Sequence, residues 1–140
     1  MNYGTHESYL ETEVLSADPV RLVSILYRAA IDAVGAARRH VAAGAIRERS
    51  RRITKALSIL YELVRSLDRE NGGEIARSLG GLYAYMTTRL IEANAMQTDA
   101  PLAEVERLLF TLLEAWSAVP ETEPTSASAP EAYEPLACAY

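Results

Sequence analysis

The groups in this 140-residue chain that could hold a metal or move a proton are two histidines, one cysteine and 19 carboxylates. Their spacing argues against both kinds of chemistry. His6 and His40 lie far apart, and neither belongs to a His-Glu-x-x-His pattern, which sets two imidazoles one helical turn apart on a metal. Glu104 and Glu106 are two residues apart, so on a helix they point in different directions. No Glu-x-x-His supplies the ligands of a di-iron bundle. Cys138 is the only cysteine, which makes an intramolecular disulfide impossible and reads as an exposed thiol in a reducing compartment. The glycine pair in "LDRENGGEIA" (Leu67–Ala76) follows no strand and precedes no Lys-Ser/Thr, so it is no phosphate cradle. No catalytic residue, metal ligand or cofactor-binding residue is expected, and the chain reads as a binding protein rather than an enzyme.

The elements around these residues are helical. Asp18 suits an N-cap and Pro19 the first helical position. From there Val23, Leu26, Tyr27, Ala30, Val34, Ala37 and Val41 recur at helical spacing up to a stop at Gly44. A second helix is expected over 46–68, with Ile53, Ala56, Leu57, Leu60, Leu63, Val64 and Leu67 on one side. "ENGG" ends it, Asn71 and Gly72 being able to close a helix left-handed and Gly73 to act as a hinge. The third, over 74–94, carries Ile75, Leu79, Leu82, Tyr83, Met86, Leu90 and Ala93. The fourth, over 101–119 and opened by Pro101, carries Leu102, Val105, Leu109, Leu112, Trp116 and Val119. The short connections imply an all-α, antiparallel up-down four-helix bundle over 18–120. An extended N-terminal segment (1–17) precedes it, and an acidic tail (121–140) rich in Pro, Ser, Ala and Glu, read as disordered, follows.

The net charge of −5 sits mostly outside the bundle. Glu121, Glu123, Glu131 and Glu134 are unaccompanied by any Lys or Arg, which leaves −1 for residues 1–120. Such a body has no broad positive field for nucleic acid. The one basic cluster, "IRERSRRITK" (Ile46–Lys55), has no interleaved aromatics and reads as a solvated helix face. No signal-peptide pattern opens the chain and no apolar run is long enough for a membrane span, so a cytoplasmic protein is expected, with no membrane insertion.

What stands out is apolar surplus. A bundle helix needs one apolar stripe about 100° wide. The first helix has a second series in Leu22, Ile25, Ala29 and Ala33; the third adds Tyr85 and Ile91, the fourth Leu108 and Leu113. A wide core absorbs part of this, and the remainder would form a groove for an amphipathic helix.

Four ordered pieces, "SADP..L...LY", "LD...GGEIA", "LY.YM..RL..AN" and the closing "AW", resemble the FliS-type flagellar secretion chaperones over about Tyr9 to Val119. The resemblance implies a cytosolic, non-catalytic bundle without cofactors. Its implied partners are the disordered C-terminal segment of flagellin, kept from premature polymerisation, and the flagellar export gate. The chaperone would be monomeric alone and one-to-one with cargo. It further implies that the N-terminal segment, here Tyr9 and Leu10, covers the groove until cargo displaces it. The groove positions would be Leu22, Ile25, Leu26, Tyr27, Leu82, Tyr83, Tyr85, Met86 and Leu90. Two other readings remain at this stage: a helical regulator using the basic second helix, and a plain oligomeric bundle. The sequence departs from the family in Asp18-Pro19, where Ser-Pro is common, and in mid-helix Gly80-Gly81, which would mark a soft third helix or a close backbone approach.

Overall fold

Asp18 opens the first helix as its chemistry requires: the carboxylate accepts the free backbone N–H of Arg21 at 2.8 Å, and Pro19 fills the position whose N–H has no partner to lose. The computed structural model describes residues 18–119 with the exception of Arg69. The N-terminal segment 1–17, with Tyr9, Leu10 and His6, and the tail beyond Val119, with Cys138, lie outside the described residues. Four helices follow one another: α1 (Pro19–Ala43), α2 (Ile46–Arg65), α3 (Gly73–Met96) and α4 (Ala100–Ser117).

Gly44 ends α1 in the left-handed region at φ 70°. Its N–H bonds Val41 O while the N–H of Ala45 reaches back to His40 O, the paired bonds of a Schellman turn. The second corner differs from its sequence reading. α2 stops at Arg65, three residues early, and neither Asn71 nor Gly72 supplies the left-handed residue; Gly73 does, at φ 55°. The cause is Asp68. Its carboxylate accepts both the backbone and side-chain N–H of Asn71, and its carbonyl accepts Gly72 N–H, so a side-chain-closed turn competes successfully with another turn of helix. α3 closes on left-handed Gln97, and Pro101 lies in the first turn of α4.

Short corners make each helix antiparallel to the next. α1 packs on α2 and α4, and α3 packs on α2 and α4, which puts α1 and α3 on a diagonal. The core threads all four: Val23, Tyr27, Ala30 and Val34 from α1; Ile53, Ala56, Leu60 and Leu63 from α2; Tyr83, Met86 and Leu90 from α3; Leu102, Val105, Leu109 and Trp116 from α4. The all-α four-helix bundle is therefore the fold of the described residues.

α3 is the least anchored helix. Between Ala76 and Tyr83 none of its residues is buried, and Ile75, expected on the core stripe, is 42% exposed. It stands in the first turn of α3, level with the corner that follows α2. A Cβ placed on Gly81 would meet nothing within 4 Å, so no neighbouring backbone requires that glycine. Gly81→Ala is accordingly expected to stabilise the protein by about 0.5–1 kcal/mol, through helix propensity alone. Urea unfolding followed by circular dichroism measures it, and a destabilised variant would show that space at Gly81 is needed.

Candidate protein-docking site

The nine groove positions expected on α1 and α3 separate into layers. Tyr27, Tyr83, Met86 and Leu90 are wholly buried, and Ile25 and Leu26 retain only 7% exposure each. Leu22 and Leu82 are half-buried, and Tyr85 is exposed. Tyr9 and Leu10 fall outside the described residues. The fold thus brings Leu82 and Tyr85 to one flank of α3 and holds Tyr83, between them in sequence, on the opposite side.

Tyr27 and Tyr83 meet across the diagonal of the bundle. Their hydroxyls are 2.7 Å apart in a buried hydrogen bond, and their rings sit edge-on with centroids 6.5 Å apart. Trp116 stands edge-on to Tyr27 at 6.4 Å, and its Nε1–H donates to Val20 O at 2.7 Å, tying the end of α4 to the start of α1. Each polar tip is thereby satisfied inside an apolar core, as burial demands. Burial pushes the Tyr27 phenol from 10.0 up to about 12, the Tyr83 hydrogen bond opposing part of the rise. Between those two values the unfolded chain ionises while the folded one holds its proton. The contribution to stability is complete below pH 10, and about 2–3 kcal/mol is lost as pH climbs through 12. The urea midpoint is expected to fall over this range, and to fall less in Tyr27→Phe; equal slopes in both proteins would exclude Tyr27 as the cause.

The exposed side of α3 is polar on one edge. Tyr85 donates its hydroxyl to Glu104 of α4 at 2.8–2.9 Å, and Arg89 Nε donates to the same carboxylate at 2.6 Å while its Nη1 reaches Glu92. The Tyr85 and Arg89 hydrogen bonds hold the Glu104 carboxyl below its usual range, and acceptance by Glu104 raises the Tyr85 phenol. This network fixes the ring of Tyr85 along the α3–α4 seam. Leu82 and Ile75, three and ten residues earlier, continue the same flank toward the start of α3. On the other flank Ile91 is 54% exposed, toward α2, where Asn94 receives Arg49 and Ser50.

Several exposed apolar residues were not among the expected positions: Ile46 and Tyr61 on α2, Met96 on α3 and Phe110 on α4. Tyr61 follows Leu60, and Phe110 follows Leu109, each one step off a core stripe; that offset was the available signal. Phe110 and Leu113 line a broad groove of about 770 Å³ with Arg38 and Glu106 between α1 and α4, and none of the expected site residues is in its lining. Arg38 closes its upper end, bonding Asp99 through Nε and Nη2 and Glu106 through Nη1, and these bonds raise its already high pKa.

The basic cluster is divided by the fold. Arg49 is buried and spent on Asn94, so the five charges do not form one stripe. Among the described residues no group of His, Cys, Asp and Glu could hold a metal, and no helix is long and apolar enough to cross a membrane. What the geometry offers is apolar surface beside fixed polar edges, suited to another polypeptide.

Comparison with known proteins agrees. The model of the family described as flagellar protein FliS matches residues 1–123. The chain is 37% identical over 111 residues to the flagellar secretion chaperone FliS of Salmonella typhimurium, covering 79% of this chain and 82% of that one. It is 36% identical over 110 residues to the flagellar secretion chaperone FliSB of Pseudomonas aeruginosa, covering 79% and 87%. The FliS of Bacillus subtilis is 28% identical over 118 residues, covering 84% and 87%. By the extent of these matches, the four-helix bundle described here belongs to the FliS family.

Proposed function

We propose that this protein is a cytoplasmic flagellar export chaperone whose cargo is the disordered C-terminal segment of flagellin. It would act by binding alone, without catalysis or cofactor. Membership in a family of secretion chaperones supports the role. The observation that carries the binding mode is the apolar surface left uncovered on α3, with Leu82, Tyr85 and Ile75 along one flank and Ile91 on the other.

The physical logic is one of masking. Helices destined for a filament carry apolar seams that would pair prematurely if left free. A groove that receives one such helix removes its seam from solution. Ordering the segment costs about 2–5 kcal/mol of the gross interaction, which helps keep the complex releasable at the export gate. In this reading Leu82 and Tyr85 touch the cargo along α3, and Leu22, on the diagonally placed α1, touches it where the segment wraps around the bundle. Ile25, Leu26, Tyr27, Tyr83, Met86 and Leu90 shape the groove from beneath, and would touch cargo only after the helices part. Tyr9 and Leu10 would cover the groove in the free chaperone and yield to cargo.

Calorimetry with the C-terminal segment of flagellin from the same organism tests the proposal. The expected result is one-to-one binding with a negative heat-capacity change. Sedimentation of the chaperone alone should give a monomer. No heat of binding, or a stable dimer that buries α3, would overturn it.

A further inference from the structure

The stretch from Asp18 to Val119 holds all 14 lysines and arginines of the chain with 12 carboxylates, a net +2; the charged residues outside it are all acids, Glu7, Glu11 and Glu13 before it and Glu121, Glu123, Glu131 and Glu134 after it. On the outward face of α2, near its start, Arg47 and Arg51 are exposed one turn apart. Neither makes an ion pair with another described residue. With Ile46, Ser50 and Thr54 they line a shallow groove of about 720 Å³, and Ile46 is 55% exposed. Two guanidinium groups beside an uncovered aliphatic side chain match an acidic segment that carries apolar residues between and beside its carboxylates.

We propose that residues 131–136 of the same chain, Glu-Ala-Tyr-Glu-Pro-Leu, dock on this groove. Glu131 and Glu134 face Arg47 and Arg51, and Tyr133 and Leu136 cover Ile46. Reach selects these two acids. α4 ends at the pole of the bundle opposite the start of α2, so the two lie about 30 Å apart along the axis and roughly two helix spacings apart across it, a separation of about 35 Å. Glu121 and Glu123 lie four and six residues past Ser117 and span at most about 20 Å. Glu131, fourteen residues past it, spans up to about 46 Å. Tethering sets the local concentration of the segment near the millimolar range, so a contact too weak to persist between separate molecules is populated here. The contact is electrostatic at an exposed face and therefore salt-sensitive. It would screen the one uncompensated arginine pair of α2 from adventitious anions.

Cys138, the single thiol, four residues after Glu134, permits a direct test on the full chain. With a nitroxide on Cys138, backbone amide signals are compared at about 10 mM and about 1 M ionic strength, where the Debye length is about 30 and about 3 Å. Amides of residues 46–55 are expected to lose roughly half their intensity or more at low salt, the fraction a tethered weak contact populates. The signals should recover at high salt and in the exposed double variant Arg47→Glu/Arg51→Glu. No selective loss, or an identical profile in the double variant, overturns the proposal. So does a loss centred on Arg21 and Arg28 of α1, which would place the segment there. A mixture of nitroxide-bearing chains with isotope-labelled chains lacking the nitroxide should show no effect; broadening in that mixture would assign the contact to a second copy and also overturn it.

Discussion

Replacement of Tyr83 by glutamate is expected to unfold this protein, although the same replacement at Tyr85 leaves it folded. Tyr83 has no exposed surface. Emptying an aromatic core position costs about 3–5 kcal/mol, and a carboxylate left in that space adds a desolvation penalty that only protonation relieves. A small domain has about 5–15 kcal/mol in total, so the loss takes most or all of it. Milder variants separate the parts. Tyr83→Phe leaves the buried Tyr27 hydroxyl without its 2.7 Å partner and should cost about 1–3 kcal/mol. Adding Tyr27→Phe to it should cost less than the two single changes together, since both ends of one hydrogen bond are then apolar. Urea unfolding by far-ultraviolet circular dichroism reads all of these. A Tyr83→Glu protein with the stability of the parent would place Tyr83 at the surface and contradict the fold.

The second large effect concerns cargo. Tyr85 is 45% exposed and held by Glu104, and a buried tyrosine at the centre of an interface typically contributes about 2 kcal/mol or more. Tyr85→Glu, with Leu82→Glu beside it, should therefore weaken binding of the flagellin segment by about 30-fold or more. Helical circular dichroism should be unchanged, because solvent and neighbouring Arg89 relieve the added charge near Glu104. Ile91→Glu, on the flank of α3 that faces α2, discriminates between grooves. Loss of binding there with retention in the Tyr85 variant would move the cargo from the α3–α4 seam to the α2–α3 seam. Unchanged affinity in all three would remove α3 from the site.

A joint substitution of Tyr83 and Tyr85, natural from the sequence, would have confounded these effects. The two residues are both tyrosine and two apart, and periodicity alone assigns each to an apolar face without saying how wide the core is. The same ambiguity affects Leu26 and Met86, whose burial follows from the helices opposite them. Apolar surplus on α1 was partly absorbed in the same way: Ile25 and Ala33 are buried, while Leu22 and Ala29 remain half-covered.

Local chemistry was legible wherever a residue acts on its own backbone. Asp18-Pro19, Gly44 and Pro101 mark helix ends in the sequence because capping, φ freedom and the missing proline N–H are properties of a few adjacent atoms. The number of helices and their antiparallel order followed from those signals and from short connections. Tertiary structure alone decided that Arg49 turns inward to Asn94 and that Tyr83 bonds Tyr27 while Tyr85 meets Glu104, because each depends on a partner made adjacent only by folding. The second corner is local too, but there the Asp68 side chain competes with the helix it would otherwise extend, and periodicity does not weigh that competition. Periodicity in one strand of sequence carries the direction of a side chain but not what stands opposite it.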